Sequence, residues 1–478
     1  MNMNRQDYEI VIGLEVHVEL ATKSKLFCAC PTTYGAPPNT QICPVCAGLP
    51  GALPTLNRAA IELAAKVGLS LDCHVAEHSE MARKNYFYPD LPKAYQISQA
   101  DHPLCEKGSL TIRTSNGAKR IGITRIHVEE DAGKLLHGEN HQTLIDLNRC
   151  GIPLIEIVSE PDLRSAEEAK AYLQTLRTVI LYTGASSCRM NEGAFRCDVN
   201  LSVRKRGDNR MGTRTEMKNL NSFAFVADAI EYEAKRQIDL LEAGDIVRQE
   251  TRRFDPDTGR TEAMRAKENA EDYRYFPEPD LPPLLLTHEQ IEALRCSLPK
   301  LPEARVARYT EAYGLSEQDA WRLAGSLSLS DYFDAAAPHT PYARILANLL
   351  LSELLPLGGE PFACPIEPQH VAELATLLGE QTINSSTAKA LLPRLWEVDE
   401  APRDLVARLE LGQISDVDLL TSHIRAVIEG NPKVVSDFKR GKTAAAKSII
   451  GQVMGATRGR ANPVLVTELV TEALSKTE

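Results

Sequence analysis

The chain has 478 residues, which is enough for roughly two to four domains. Its apolar fraction of 43%, charged fraction of 25% and net charge of −11 are those of a globular protein, and they exclude disordered, collagen-like and coiled-coil classes. The longest apolar stretch, residues 345–356, is interrupted by Asn348, Ser352 and Glu353, so it falls short of the ~20 apolar residues that a membrane helix needs. The first residues do not follow the pattern of a secretory signal. We therefore expect a cytoplasmic protein that does not enter a membrane.

The first part of the chain, residues 8–290, predicts a strand-rich region, because short alternating runs are separated by glycine and proline. Two stretches in it, residues 56–71 and 165–184, carry apolar residues at helical spacing. The second of them begins with a capping-box pattern from Ser165 to Glu168. We predict helices at these two places and strands elsewhere.

Beyond a proline-dense segment near residues 275–302, alanine, leucine and glutamate recur at helical spacing as far as the end of the chain. A second break falls near residues 397–402. We predict an α+β fold with a β-rich domain at 1–295, a helical domain at 296–402 and a small helical tail at 403–478.

Four of the eleven cysteines form two close pairs joined by a turn-rich loop: Cys28, Cys30, Cys43 and Cys46. Two such pairs can hold a zinc ion tetrahedrally through four thiolates. Because four protein ligands leave no open position, we predict a structural site. The other interpretation is four thiols that bind nothing.

A strictly alternating segment, residues 13–20, predicts a strand with one apolar and one polar face. Glu15, His17 and Glu19 share the polar face, where neighbours are about 7 Å apart. This row suits a bound cation whose remaining ligands are carboxylates on other strands. On this segment alone, an ordinary half-exposed strand with a polar outer face is the better interpretation.

Two further carboxylates favour the cation. Glu156 lies within an otherwise apolar run, where an unpaired charge costs several kcal/mol. Glu130 is in phase with the apolar residues of its segment and is expected to point inward. We predict one divalent metal site, for magnesium or manganese, whose ligands are Glu15, His17, Glu130 and Glu156. Alternatively, Glu156 pairs with an arginine such as Arg149 or Arg125.

Other charged segments suggest a phosphorylated or nucleic-acid substrate. Lys84 and Lys93 fall in an aromatic, proline-containing segment that predicts a rigid surface loop with projecting lysines. Two expected strands carry polar side chains at a period of two, namely Arg196, Asp198, Asn200 and Ser202 on one strand and Glu216 and Lys218 on the next. The pattern is typical of a floor for nucleotide and metal, although no glycine-rich phosphate loop accompanies it.

Basic residues are concentrated in the tail. Between residues 433 and 460 a single acid, Asp437, accompanies seven basic residues: Lys433, Lys439, Arg440, Lys442, Lys447, Arg458 and Arg460. Such an excess either follows a phosphate backbone or forms a solvated helix face.

The chain resembles the B subunit of bacterial and archaeal tRNA-dependent amidotransferases over essentially its whole length. The similarity is carried by Gly13-Leu-Glu-Val-His-Val-Glu-Leu20, by Lys218-Asn-Leu-Asn-Ser222 and by residues 83–90, 93–98, 146–149, 153–162 and 272–280. The resemblance implies a β-rich cradle, a helical domain and a tail of the YqeY type, with both helical parts gripping tRNA.

The resemblance implies that the chain is one subunit of a ligase complex. This complex uses ATP to phosphorylate the side-chain carboxylate of Glu-tRNA(Gln), Asp-tRNA(Asn) or both. Ammonia from a glutaminase A subunit then replaces the phosphate, and a small C subunit completes a heterotrimer. No serine or cysteine nucleophile for glutamine hydrolysis is visible in this chain.

The resemblance also implies residue roles. It assigns the magnesium ligands to Glu15, His17, Glu130 and Glu156, and the lining of the ammonia path to Lys84 and Asp198. It assigns the zinc ligands to Cys28, Cys30, Cys43 and Cys46. The ATP contacts rest instead on the facing geometry of the two expected strands, which assigns them to Arg196, Asn200, Ser202, Glu216 and Lys218. Two other classes remain open: a zinc-stapled tRNA-binding scaffold and a stand-alone metal-dependent phosphotransferase.

Overall fold

The computed structural model describes residues 7–138, 142–266, 273–359, 361–414, 416–440, 444–457 and 459–476. Asp272, at the start of the segment 272–280, and Lys442 and Arg458, two of the basic residues of the tail, lie outside these residues. The chain divides into two compact units, Met1–Leu301 and Pro302–Glu478. A sheet-rich part followed by helices confirms the predicted α+β class. The boundaries at residues 295 and 402 stay a prediction.

Most strands of the first unit belong to one large sheet. The strands are β1 (Tyr8–Glu19), β2 (His74–Val75), β3 (His78–Ser79), β4 (Ala82–Asn85), β5 (Tyr95–Ser98), β6 (Cys105–Thr114), β7 (Gly117–Glu130), β8 (Lys134–His137), β9 (Thr143–Asp146), β10 (Pro153–Ser159), β11 (Phe195–Lys205), β12 (Thr215–Lys218), β13 (Glu250–Asp255), β14 (Arg260–Ala266), β15 (Phe276–Pro277) and β16 (Leu284–Leu285). Nine of them pair in the order β14-β13-β12-β11-β1-β10-β7-β6-β2, antiparallel except for the parallel pair β12 and β13. The remaining strands form small sheets, β15-β4-β5, β16-β3 and β8-β9.

The helices of the first unit are α1 (Arg58–Ser70), α2 (Ala166–Thr183), α3 (Phe223–Glu242) and α4 (His288–Cys296), with a 3-10 turn at Met190–Glu192. Helices α1 and α2 confirm the two predicted helices. The hydroxyl of Ser165 accepts a hydrogen bond from the Glu168 amide at 3.1 Å, as a cap should. The Glu168 carboxylate accepts from the Arg164 amide at 2.7 Å.

The 20-residue helix α3 was not predicted. Its buried face includes Glu233 and Gln237 among apolar residues, so polar side chains interrupt the periodic apolar pattern that would have indicated a helix. The three longer helices cover one face of the large sheet, and their side chains form the core of this unit with those of the strands.

The two faces of the sheet therefore differ in chemistry. Along β1, Leu14, Val16 and Val18 are buried in the core, and Glu15 and His17 alternate with them on the opposite face. Cross-strand partners share a face, so the pairing of His17 with Glu156, and of Glu156 with His127, continues a polar row across β10 and β7.

The second unit is helical. It contains α5 (Pro302–Tyr313), α6 (Glu317–Ala324), α7 (Leu327–Ala336), α8 (Ala343–Leu349), α9 (Leu355–Gly358), α10 (Pro368–Gly379), α11 (Ser385–Glu397), α12 (Pro402–Arg408), α13 (Val417–Glu429), α14 (Pro432–Lys439), α15 (Ala445–Ala456) and α16 (Pro463–Lys476). It also contains a 3-10 turn at Ala337–His339 and a π-helical turn at Leu350–Leu354. Two separate hydrophobic clusters stabilise it, one before residue 412 and one after residue 413.

The apolar stretch at residues 345–356 crosses from α8 through the π-helical turn into α9, where Pro356 lacks an amide proton for a regular helical hydrogen bond. Within the described part of the chain, each helix is either too short or too polar to cross a bilayer.

Candidate active site

A cavity of about 830 Å³ opens on the polar face of the large sheet. Side chains of β1, β7, β10, β11 and β12 form its floor, and β4 and the segment before β15 form one wall. Most of the lining residues are charged or hydroxyl-bearing, and they include Glu15, His17, Lys84, His127, Glu129, Asp131, Glu156, Arg196, Asp198, Arg214, Glu216, Lys218, Thr251, Tyr273 and Tyr275. So many polar groups at one face suit a charged substrate.

The first cluster in the cavity joins two carboxylates and two imidazoles. Nε2 of His17 lies 3.4 Å from Oε2 of Glu156 and 3.8 Å from Oε1 of Glu129. Nε2 of His127 lies 3.4 Å from Oε2 of Glu156 and 3.5 Å from Oε2 of Glu129. One donor atom each from His17, Glu129 and Glu156 falls within 4.8 Å of the others, which is close enough for one metal ion.

Charge compensation dominates the electrostatics of this cluster. Burial alone would lower the pKa of His127, but the neighbouring carboxylates of Glu156 and Glu129 raise that pKa to about 9. Burial raises the pKa of Glu129, yet the hydrogen bond from His127 and the positive charges of His127 and Lys84 together outweigh burial, so the pKa lies below its usual value. The pKa of Glu156 is lowered in the same way, against burial, by His127 and His17. Glu129 and Glu156 are therefore ionised at neutral pH and surrounded by positive charge.

Glu130 does not lie in this cluster, which corrects the predicted set of metal ligands. Its carboxylate accepts hydrogen bonds from the ammonium of Lys93 and from the amide of Ile97, the latter at 2.9 Å. Its side chain is 2% exposed. Glu130 shares the core face of β7 with Ile126 and Val128, whereas Glu129 points into the cavity. The predicted inward phase was correct, but inward here means toward the core.

Glu15 belongs to a second, neighbouring cluster. One carboxylate oxygen each of Glu15, Asp198 and Glu216 falls within 4.8 Å of the others. The ammonium of Lys218 forms a salt bridge with Asp198 and lies 3.4 Å from Oε1 of Glu216. This cluster already contains a cation of the protein.

Lys84 lies on β4, in the cavity wall. Its Nζ lies 4.8 Å from the ring centroid of Tyr273, which favours a cation–π interaction. Burial alone would lower the pKa of Lys84, but nearby Glu129 raises it above its usual value. The structure gives Asp198 a different lysine partner, Lys218. Both Lys84 and Asp198 nevertheless line the same cavity.

The segment around Lys84 differs from the predicted surface loop. It runs through β4 and β5, and the side chain of Lys93 is 10% exposed against Glu130 rather than projecting. On β4, Arg83 binds Glu278 with two hydrogen bonds, of 2.7 and 2.9 Å.

The residues predicted to contact a nucleotide share strands as expected. Arg196 lines the cavity and donates a hydrogen bond of 2.6 Å to Asp131. Asn200 donates one of 2.9 Å to Glu15. Glu216 lines the cavity and accepts from Thr251 at 2.9 Å. Ser202 is buried on β11 and is not among the residues that line the cavity.

The four clustered cysteines lie together, with their Sγ atoms within 4.8 Å of one another. Sγ of Cys43 and Sγ of Cys46 are 3.9 Å apart, close to the separation of about 3.8 Å expected for two thiolates at 2.3 Å from a tetrahedral zinc ion. The hydrogen bond with Cys28 lowers the pKa of the Cys46 thiol, which favours its thiolate form. The arrangement could hold a metal.

In the tail, Lys433, Arg440 and Lys447 are exposed. Arg460 donates a hydrogen bond of 2.5 Å to the carbonyl of Glu410, so part of its charge is engaged within the second unit.

The site predicted from sequence did not include His127, Glu129, Thr251 or Arg214. It assigned no role to Tyr273 and Tyr275, although both lie in the segment 272–280 that carries the family resemblance. The signal for the first two was present, because His127 and Glu129 alternate with Ile126 and Val128 as the polar residues of β1 alternate with Leu14 and Val16. The others come from segments that are distant in sequence, and only tertiary structure brings them to the cavity.

Two family profiles match the chain. One, described as the GatB/GatE catalytic domain, matches residues 10–292, and the other, described as the GatB domain, matches residues 331–474. The chain belongs to the GatB family. The first match alone spans more than half of the chain and includes every residue of the cavity.

Curated relatives agree with this family over the full length. The B subunit of the aspartyl/glutamyl-tRNA(Asn/Gln) amidotransferase from Caldicellulosiruptor saccharolyticus is 50% identical, covering 98% of this chain and 100% of the relative. Proteins of the same name from Caldicellulosiruptor bescii and Carboxydothermus hydrogenoformans are each 49% identical with the same coverage. The predicted resemblance is confirmed, and with it an enzyme subunit of the ligase class that forms carbon–nitrogen bonds.

Proposed function

We propose that this chain is the subunit that activates and amidates misacylated tRNA. ATP phosphorylates the side-chain carboxylate of Glu-tRNA(Gln), Asp-tRNA(Asn) or both, and ammonia replaces the phosphate to give Gln-tRNA(Gln) or Asn-tRNA(Asn). The main support is the cavity, where ionised carboxylates and lysines face one another on the sheet of a GatB-family chain.

We propose that His17, Glu129 and Glu156 hold a divalent ion, magnesium or manganese. Two buried carboxylates suit a hard cation, and the imidazole favours manganese slightly. When bound, the ion would neutralise negative charge on the phosphates. Glu15, the fourth residue expected here, has Asn200 as a hydrogen-bond partner and belongs with Asp198 and Glu216, so we assign it to the second cluster.

The lysines of the cavity act as fixed positive charges. Lys84 stays protonated, because Glu129 raises its pKa, and it therefore attracts the carboxylate or phosphate of the substrate and does not act as a base. The aromatic rings beside Lys84 exclude water from one side of this charge and so strengthen its attraction for an anion.

Asp198 is the proposed acceptor of a proton. Ammonia that arrives as ammonium must lose a proton before its nitrogen can attack. The carboxylate of Asp198 lines the cavity, and the salt bridge with Lys218 holds it in place. We expect Lys84 to hold the anionic reactant while Asp198 takes the proton.

The nucleotide contacts follow from the lining of the cavity. Arg196, Glu216 and Lys218 line the cavity and are the proposed contacts for ATP and its metal. Asn200 acts through Glu15, and Ser202 acts at most by supporting the strand. We expect substitution of Arg196 to raise the KM for ATP more than substitution of Ser202.

The proposed complex is a heterotrimer with a glutaminase A subunit and a small C subunit, as the family resemblance implies. In the amino-acid sequence, no Ser-Ser-Lys or Cys-His arrangement with suitable context for glutamine hydrolysis is visible. Zinc bound to the four cysteines supports the fold. The exposed basic residues of the tail contact the tRNA backbone.

The decisive experiment measures ATP hydrolysis by the reconstituted complex. We expect hydrolysis to require Glu-tRNA(Gln) or Asp-tRNA(Asn) and not to respond to free glutamate or to correctly charged tRNA. A stand-alone phosphotransferase would hydrolyse ATP with the free amino acid, and a scaffold would not hydrolyse ATP under any of these conditions. Either result would refute the proposal.

A further inference from the structure

Lys25 is buried beside the cysteine cluster. The residue is 0% exposed, and its Nζ lies 3.5 Å from Sγ of Cys46 and 3.3 Å from the carbonyl oxygen of Leu147. A lysine is almost never fully buried unless its ammonium has a negative partner. Neither a neutral carbonyl nor a protonated thiol supplies that negative charge, whereas a thiolate does.

A four-cysteine zinc site provides the negative charge that Lys25 needs. Four thiolates and one Zn²⁺ carry two net negative charges, and this excess is buried unless a nearby donor offsets it. We propose that Lys25 is an outer-sphere partner of the zinc site, donating to the Cys46 thiolate and stabilising the metal-loaded form. The inference rests on the zinc site proposed above.

The second contact of Lys25 connects the zinc site to the cavity. Leu147 lies in the turn that also contains Arg149, whose guanidinium donates to the carbonyls of Ala132 and Gly133 at 2.9 and 2.8 Å. Asp131, just before them, accepts from Arg196 in the cavity.

Gly151, which follows this turn, also packs closely against Lys25 and Cys46. A Cβ on Gly151 would lie 3.5 Å from Lys25 and 3.6 Å from Cys46. Lys25 therefore positions both the metal site and the turn that supports the cavity wall. It does not touch substrate.

A purely structural lysine and an outer-sphere lysine differ in one measurable respect. If Lys25 only fills space and satisfies Leu147, its replacement destabilises the protein equally with and without zinc. If it compensates the zinc–thiolate charge, replacement destabilises mainly the loaded form, because the loaded site carries two net negative charges and the cluster carries less negative charge once zinc is removed and thiols of the cluster take up protons.

The test compares Lys25→Met with Lys23→Met in the full chain purified with its partner subunits. Lys23 is exposed two residues away and provides the matched control. Zinc content is measured by mass spectrometry, zinc release by transfer to the chelator 4-(2-pyridylazo)resorcinol, and Tm before and after stripping with that chelator. For Lys25→Met we expect at least tenfold faster zinc release and a narrower gap in Tm between loaded and stripped protein. Lys23→Met should behave like the unmodified chain.

Two further variants complete the test. Lys25→Gln removes the charge but keeps a donor, and it gives the same comparison if Lys25→Met does not fold. Lys25→Arg keeps the charge and should release zinc more slowly than Lys25→Gln. Unchanged zinc release in the neutral variants, or equal loss of Tm with and without zinc, would overturn the inference. A protein that contains no zinc at all would instead refute the proposed zinc site.

Discussion

Two neighbouring glutamates of β7 face opposite surroundings. Glu129 meets His17 and His127 in the cavity, and Glu130 meets Lys93 in the core. Both are buried carboxylates with positive neighbours. His17 and His127, beside Glu129, also pair with the Glu156 carboxylate, whereas Lys93 forms its salt bridge with Glu130. Only Glu129 is in a position to touch a substrate or its metal, so the two residues can separate catalysis from stability.

We predict opposite effects for Glu129→Gln and Glu130→Gln. Glu129→Gln should keep its Tm within a few degrees and lower the rate of Gln-tRNA formation with free ammonia on the order of a hundredfold, because it removes one charged ligand of the proposed metal ion. Glu130→Gln should lower the free energy of unfolding by about 3–5 kcal/mol, because it leaves the Lys93 ammonium buried without its counter-ion. Thermal unfolding and the ammonia-driven assay measure both.

Each variant serves as the control for the other. A Glu130→Gln protein that is fully stable but inactive would mean that Glu130, and not Glu129, belongs to the reacting site.

At the scale of elements, a buried ion pair helps to hold the wall of the cavity together. Glu278, whose side chain is fully buried, follows β15 and binds Arg83 of β4, and the Arg83 guanidinium also lies 4.2 Å from the centroid of the Tyr95 ring. This contact fixes the strand that carries Lys84 against the segment that carries Tyr273 and Tyr275.

Removing this ion pair should destabilise the wall of the cavity. We expect Arg83→Met to lower the free energy of unfolding by about 3 kcal/mol, because the Glu278 carboxylate remains buried without its partner. The KM for aminoacyl-tRNA should rise as well. Chemical denaturation and initial-rate kinetics measure these effects. Arg120→Met, on an exposed position of β7, is the control and should change neither.

Helix α3 is attached to the edge of the sheet by Glu233. Its carboxylate accepts from Thr215 of β12 and Thr261 of β14, both at 2.9 Å, and it lies 3.3 Å from Nε of Arg252 of β13. Burial alone would raise the pKa of Glu233, but its hydrogen bonds, first with Arg236, lower the pKa below its usual value.

This lowered pKa predicts a pH-dependent variant. Because the folded state favours the ionised form, Glu233 contributes its full stability above the pKa of an unfolded glutamate, about 4.3. The contribution is lost as pH falls from that value through the lower folded pKa. The difference in unfolding free energy between the unmodified chain and Glu233→Gln should therefore be constant near neutral pH and shrink in acid.

The matched control is Asp228→Asn, an exposed position on the same helix. A difference that stays constant down to about pH 3 for Glu233→Gln would contradict the stated role of this charge.

Sequence alone reached the elements whose pattern is local. The alternation of β1, the cap at Ser165 and the spacing of four cysteines are each contained in about twenty residues, and each led to a correct element or cluster. Helix α3 was missed because Glu233 and Gln237 occupy core positions, where they bind strands from distant parts of the sequence. Glu130 was predicted as a metal ligand in place of Glu129 because the alternation of apolar and polar residues separates the two faces of a strand. It does not indicate which of the two faces meets the ligand.

At the scale of the whole molecule, the second unit holds two hydrophobic clusters with a boundary near residue 412. Helix α12 belongs to the first of them, because Leu405 and Val406 are buried there. The tail attaches to that part through hydrogen bonds such as Gln413 amide to Thr382 carbonyl at 2.7 Å.

Two truncations should therefore differ. A chain that ends after residue 412 keeps Leu405 and Val406, so it should remain folded, bind tRNA at least tenfold more weakly and retain partner-driven glutamine hydrolysis. A chain that ends after residue 401 loses both side chains from their cluster and should also unfold at a lower temperature, since each large apolar deletion in a core costs about 2–5 kcal/mol. Filter binding with tRNA and thermal unfolding measure the two effects.

A charge-reversed triple variant of Lys433, Arg440 and Lys447 tests the same surface without truncation. Unchanged tRNA affinity in both the shorter chain and this variant would exclude the tail from tRNA binding.

The alternation of β1 has a consequence for how this enzyme can change over evolutionary time. Leu14, Val16 and Val18 stabilise the fold through their burial in the core, whereas Glu15 and His17, which lie between them, line the cavity. We expect a saturation mutagenesis scan of this strand to show two alternating patterns. Substitutions at the core positions should lower protein abundance, and substitutions at the cavity positions between them should lower amidation. Substrate preference can then drift at one set of positions while the other set preserves the folded protein.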